Sequence, residues 1–341
     1  MTPCIATLLM CAALLGSTDS RTAHFTGCCD ASAAVALSED LFVVANDEDN
    51  LLRVYSREHL GPPISTTDLT AFLNPGKKAP EVDIEAAAQI GDRIYWVSSH
   101  GRNAKGKERE SRHRLFATTA IVTNGGVEIK PVGNFYADLL NAMARDPRLK
   151  PFGLARASLW APKTEGALNI EGLAATPEGH LLIGFRNPIP RGRALIVRLL
   201  NPEEVVFGKT PRFGEPVLLD LDGLGIRSME FWRDRDRYIV VGGASDGTPG
   251  SRLYTWSGRN EPPRALMTEM QSLNPEAVTF VAGGGAEQLL VISDDGTLQI
   301  RGQDCKKLKD PNLRRFRAIT VTVESYADSH LARPATALLR P

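Results

Sequence analysis

Short apolar runs rich in Val, Ile, Leu and aromatic residues alternate along the chain with clusters of Gly, Asp, Asn and Pro. Runs of that kind between turn formers predict β-strands. They come in fours. AAVAL, LFVVAND, LLRVYS and ISTTDL form a first unit, and IEAAAQI, RIYWVSS, HRLFATTAI and VEIKPV a second. The third reads IEGLAAT, HLLIGF, ALIVRLL and PVLLDL; the fourth SMEFW, RYIVVGG, RLYTWS and RALM; the fifth EAVTF, QLLVIS, TLQIRG and FRAITVTV.

Each unit opens on a variant of one motif. Asp30-Ala31-Ser32-Ala33-Ala34 returns as Asp83-Ile84-Glu85-Ala86-Ala87, Asn169-Ile170-Glu171-Gly172-Leu173, Gly225-Ile226-Arg227-Ser228-Met229 and Asn274-Pro275-Glu276-Ala277-Val278. Self-similarity at this period is the signature of a repeat architecture. The pattern predicts an all-β fold, a single β-propeller over 24–327 with five four-stranded blades. The long interval between the second and third units has its own content. Phe135, Leu139, Leu140 and Met143 recur at helical spacing. A helical insertion over 134–168 is therefore expected between blades two and three. Six blades would result if that insertion hid strands. Residues 328–341 read as a tail.

Composition adds little to the fold and more to the setting. Apolar residues make up 43% and charged residues 23%, as in ordinary globular chains. Forty basic side chains balance forty acidic ones, so the footprint of a nucleic-acid binder is absent at whole-chain level. Residues 1–20 predict a signal peptide, because the apolar run from Ile5 to Leu15 is too short to span a bilayer and is followed by Gly16, Ser17 and Thr18. No Lys or Arg precedes that run. Export to the periplasm or beyond is the expectation, and a frayed start on a cytoplasmic protein the alternative. Cys28 or Cys29, paired with Cys305, would close the ring in an oxidising compartment. A monomer with no membrane span is expected.

The segments CDASAAVAL, ANDEDNLLRVY, SHGRNAKGKERESRHRLFA, LNIEGLAATPEGHLLIGFRNPIP and SDDGT resemble the bacterial family known as domain of unknown function thirty-six sixteen. The resemblance covers nearly the whole chain beyond the leader. It implies a fold-level grouping and no activity. The D-x-E-G type of motif at the unit starts is also similar to that of phytase-like esterase propellers.

Function is expected where the repeats converge. In a propeller the start of each inner strand and the loop after the second strand open on one face. That face would gather Asp83, Glu85, Asn169, Glu171 and Glu276, whose mutual repulsion a hard cation such as Ca²⁺ could relieve through oxygen ligands. It would also gather His100, Arg102, Asn103, Arg186, Asn187 and Arg227, a set suited to a small polar or anionic ligand. The equal alternative for the acids is structural: ties between blades, with Arg227 as counter-ion. Three functions follow. The first is an exported binder of a small polar or anionic molecule, with Ca²⁺ as a candidate cofactor. The second is a metal-dependent hydrolase of phosphoesters or lactones using His100 or Glu171 as base. The third is an interaction scaffold.

Overall fold

The computed structural model describes residues 22–77, 79–123, 126–266, 273–281 and 288–323. The expected leader and tail lie outside the described residues. The five units fold as five antiparallel four-stranded blades arranged in a ring, the expected β-propeller. Blade one comprises Ala31–Ala36, Leu41–Asn46, Leu51–Ser56 and Ser65–Asp68. Blade two comprises Ile84–Ile90, Arg93–Ser98, Leu115–Thr123 and Gly126–Tyr136. Blade three is built from Asn169–Ala175, Leu181–Asn187, Ala194–Leu199 and Val217–Leu219. Gly225–Trp232, Arg237–Gly243, Arg252–Trp256 and Arg264–Ala265 make blade four.

Blade five departs from the sequence expectation. Its inner three strands are Pro275–Phe280, Gln288–Ser293 and Arg315–Thr322, and its outer strand is Ala23–Thr26 from the other end of the chain. TLQIRG, expected as a blade strand, instead contributes Gln299–Ile300 to a separate hairpin with Gln303–Asp304. The swap has a packing cause. Phe25 sits with its ring 5.2 Å from both Phe42 and Phe316 and 5.4 Å from Tyr55, so the first strand completes the wedge between blades five and one. A disulfide between Cys29 and Cys305 closes the ring a second time, across a sequence separation of 276. The neighbouring Cys28 stays a free, buried thiol whose Sγ lies 3.6 Å from the Tyr55 hydroxyl.

The core is not central. It is a set of layers between successive blades, one holding Trp96 between blades one and two, another Trp256 between three and four, another Trp232 between four and five. Close approach requires small residues there: a Cβ on Gly172 would lie 2.6 Å from Cγ2 of Ile226 in the next blade. Between blades two and three the layer also takes in the insertion, which carries helices at Leu139–Arg145 and Leu154–Ala157 and a short turn of helix at Lys150–Phe152. Leu139, Leu140, Met143 and Leu154 are buried in that layer, while Phe135 belongs to the preceding strand. The blade-two strand takes up the insertion's first residues to Tyr136, and no strand of its own occurs beyond them among the described residues, so the ring has five blades.

Candidate functional site

The five motif residues are placed on the axis by one recurring backbone feature. In every blade the pairing of the inner strand with the second strand skips a residue near its start, a β-bulge. The skipped residues are Ser32, Glu85, Glu171, Arg227 and Glu276. A bulge leaves its extra residue out of the ladder and re-aims its side chain. The result is a five-membered polar ring at the upper mouth of the channel, where the inner strands begin. Two residues earlier stand Asp30, Asp83, Asn169, Gly225 and Asn274. Gly225 breaks the Asp/Asn pattern because a Cβ there would overlap the carbonyl of Arg186.

The ring divides into two halves. On one side the acids are neutralised. Nη1 of Arg186 donates to Oε1 of Glu171 at 2.6 Å, and Nε of Arg227 lies 3.5 Å from Oε2 of the same carboxylate. Arg227 also pairs with Glu276 and donates to Oδ1 of Asn274 at 3.1 Å. Asn169 donates its amide to Glu171 at 2.6 Å. Glu171, Arg186 and Arg227 are all buried. These are ties between blades three, four and five.

The other side is acidic and underpaired. One carboxylate oxygen from each of Asp47, Asp83 and Glu85 lies within 4.8 Å of the others, and Asp30, Asp47 and Glu48 form a second such group sharing Asp47. Asp83 is held by Arg112 at 2.9 Å. Lys306 reaches Glu48 at 3.0 Å and Asp30 at 3.7 Å. Among the described residues, no Lys or Arg pairs with Asp47 or Glu85. Oδ1 of Asp47 is buried without a hydrogen-bond partner.

Burial dominates the acidity of this half. It pushes Asp30 up to about 7, with Asp294 adding to the rise and Lys306 opposing it. Asp83 rises to about 6, burial outweighing the Arg112 guanidinium beside it. Asp47 and Glu85 are held well above the usual carboxylate range by burial first and by neighbouring carboxylates second. A cluster of carboxyls that resist ionising together is what a divalent cation relieves.

The remaining expected ligand residues lie elsewhere. Arg102 donates to the carbonyls of Ser158 and Gly106, and Asn103 accepts from the backbone amides of Lys105 and Lys107. Asn187 donates to the carbonyls of Pro162 and Thr164. These three pin the insertion and its adjoining loop. His100 is buried, its Nδ1 donating to the Ser98 carbonyl at 2.9 Å and its ring 5.3 Å from that of His113. Burial, reinforced by His113, lowers its pKa to about 3.

Of the residues expected to hold a cation, the fold thus brings Asp83 and Glu85 together and assigns Asn169, Glu171 and Glu276 to the arginine half. Asp47 joins the acidic group instead. Its place, directly after the second strand of blade one on the same face, was visible in the sequence. The nearness of Lys306 was not, because it depends on where Cys305 is pinned.

Residues 129–298 match the family described as Protein of unknown function (DUF3616). The match covers just under half of the chain. It runs from the outer strand of blade two to the loop after the second strand of blade five, and the resembling motifs before residue 129 lie outside it. No curated protein matches the chain. Similar solved structures include glutaminyl cyclase from Myxococcus xanthus, 10% identical with a TM-score of 0.42, covering 89% of this chain and 95% of that one. Virginiamycin B lyase from Staphylococcus aureus is 10% identical, with a TM-score of 0.39 and coverage of 88% and 99%. PhoX from Pseudomonas fluorescens is 10% identical, with a TM-score of 0.38 and coverage of 90% and 75%. The activities in those names belong to those proteins.

Proposed function

We propose that this protein is an exported binding propeller whose upper mouth holds a divalent cation of the Ca²⁺ type between Asp47, Asp83 and Glu85, and through it a small polar or anionic ligand. The observation that carries the reading is the trio of carboxylates within 4.8 Å, two of them without a basic partner among the described residues. Oxygen donors of this kind suit Ca²⁺, which accepts irregular geometry and leaves positions for water or ligand oxygens. Export is supported by the disulfide, which persists in oxidising compartments. Among the described residues, no helix is long and apolar enough to cross a membrane.

The hydrolase reading draws less support from its two named candidate bases. His100 is buried against its own backbone, and Glu171 is tied to two arginines. The scaffold reading has no observation in its favour.

The test is the melting temperature of the purified protein in EDTA and then in excess Ca²⁺. A ligand that binds only the folded state stabilises by mass action, about 2.7 kcal/mol at a hundredfold excess over Kd. The melting temperature is expected to rise with Ca²⁺ in the wild type and in Glu171→Met, and not in Asp47→Asn or Glu85→Gln. A wild type indifferent to Ca²⁺ would mean that the carboxyls relieve their repulsion by holding protons, and the reading would be abandoned.

A further inference from the structure

The lower mouth of the channel, where the inner strands end, opens into a cavity of about 860 Å³. Every blade contributes to its wall, from Val35 in blade one to Phe280 in blade five. Its size falls in the range of small-molecule sites, roughly 300–1,000 Å³. It lies at the opposite end of the inner strands from the carboxylates of the upper mouth.

One wall residue breaks the repeat. Three positions after the bulge, the blades carry Val35, Ala88, Ala174, Glu230 and Thr279 in turn. Four of these are small or apolar, as the crowded spacing between inner strands demands. Thr279 settles its hydroxyl by accepting from the Ala36 amide. Glu230 alone is ionisable. Among the described residues its carboxyl has no hydrogen bond and no ion pair. Burial pushes it up to about 8, opposed only by Arg233. Among the described residues that line the cavity, Arg233 and Asp234, both exposed, are the other charged ones.

A carboxyl costs stability at a position the fold prefers apolar. Such local conflicts are expected where function overrides packing. Aromatic rings lie beside it: Phe231 and Phe280 line the cavity, and Phe280 stacks on Trp232 at 5.4 Å. A part-buried carboxyl and aromatic faces around an otherwise weakly charged space select a cation with an apolar body, since the ring quadrupole and the carboxylate that forms on binding attract the same partner.

We propose that the lower mouth is a second binding site, for a small organic cation, with Glu230 as its counter-ion and Phe231 and Phe280 as the walls for its apolar part. The site is independent of the cation at the upper mouth.

The probe is benzyltrimethylammonium, compared with benzyl alcohol and benzoate by isothermal titration calorimetry on the intact, Ca²⁺-saturated protein. The cation is expected to bind saturably and at least about tenfold more tightly than either comparison compound, with Glu230→Gln losing that preference; a tenfold change is 1.4 kcal/mol. Binding near neutral pH is also expected to release a proton from Glu230, read as a dependence of the apparent enthalpy on the buffer's ionisation enthalpy. That second readout needs no variant, so a misfolded Glu230→Gln would not shelter the proposal. Absence of saturable binding, equal binding of benzyl alcohol, or buffer-independent enthalpy would each overturn it. The Ca²⁺ response of the upper mouth is expected to survive Glu230→Gln, which keeps the two sites' failures apart.

Discussion

Arg227 is the basic member of an otherwise neutral or acidic set of bulge residues, and its two neighbours round the ring are Glu171 and Glu276. That arrangement makes the two halves of the ring respond oppositely to neutralisation. Glu171→Gln leaves Arg186 and Arg227 buried with one counter-charge fewer. Removing one partner of a buried pair costs about 3–5 kcal/mol, whereas replacing both with apolar residues of similar volume costs far less. Urea unfolding is expected to show Glu171→Met well below wild type and Glu171→Met with Arg186→Met partly restored. If the double variant were as unstable as the sum of the two singles, the ion pair would not be the source of the loss. Glu85→Gln is expected to do the reverse in EDTA, holding or raising stability, because it removes a carboxyl that burial already disfavours. The motif spacing showed that these side chains would meet. Which acid faces an arginine and which faces another acid depends on blade order around the ring and on the rotamers of Arg186 and Arg112, and a one-dimensional pattern does not carry that.

At the scale of elements, ring closure is shared between a strand and a covalent bond. The strand Ala23–Thr26 buries Phe25 among three aromatic rings, and three residues after that strand Cys29 is bonded to Cys305. The cysteine positions at the two ends of the repeats already suggested such a bond but left Cys28 and Cys29 equivalent. The fold separates them: Cys28 faces Tyr55, while Cys29 packs with Ile300, Cys305 and Leu308. The outer strand of blade five was missed for a physical reason. A four-residue segment containing one large apolar residue is a weak strand signal, and its partner is nearly three hundred residues away. Cys29→Ser with Cys305→Ser is expected to lower stability by about 2–5 kcal/mol, since the bond constrains a very long loop in the unfolded chain. The midpoint of urea unfolding measures it. A loss below about 1 kcal/mol, well under the usual cost of removing such a bond, would assign closure to the aromatic cluster around Phe25 alone.

For the molecule as a whole, the acidic half of the ring couples stability to pH and to cation together. Asp30 and Asp83, at about 7 and about 6 in the fold, titrate near 4 when unfolded. Between those values the folded state binds more protons than the unfolded one, so their contribution to stability is full below about pH 4 and is lost as pH rises towards 7. His100 works against this. Its pKa of about 3 in the fold, below its unfolded value, adds stability above about pH 6.5 that is lost as pH falls. A comparison of variants separates the two. In EDTA, Asp30→Asn is expected to match wild type near pH 4 and to become the more stable of the two as pH approaches 7. With Ca²⁺ present the wild-type loss over that window is expected to disappear, because the cation favours the same ionised carboxylates that burial disfavours. Thermal melts across the pH series, with and without the ion, decide it. If Asp30→Asn tracked wild type at every pH in EDTA, Lys306 would already satisfy the Asp30 carboxylate, and a cation would have to be held by Asp47, Asp83 and Glu85 without help from the neighbouring group.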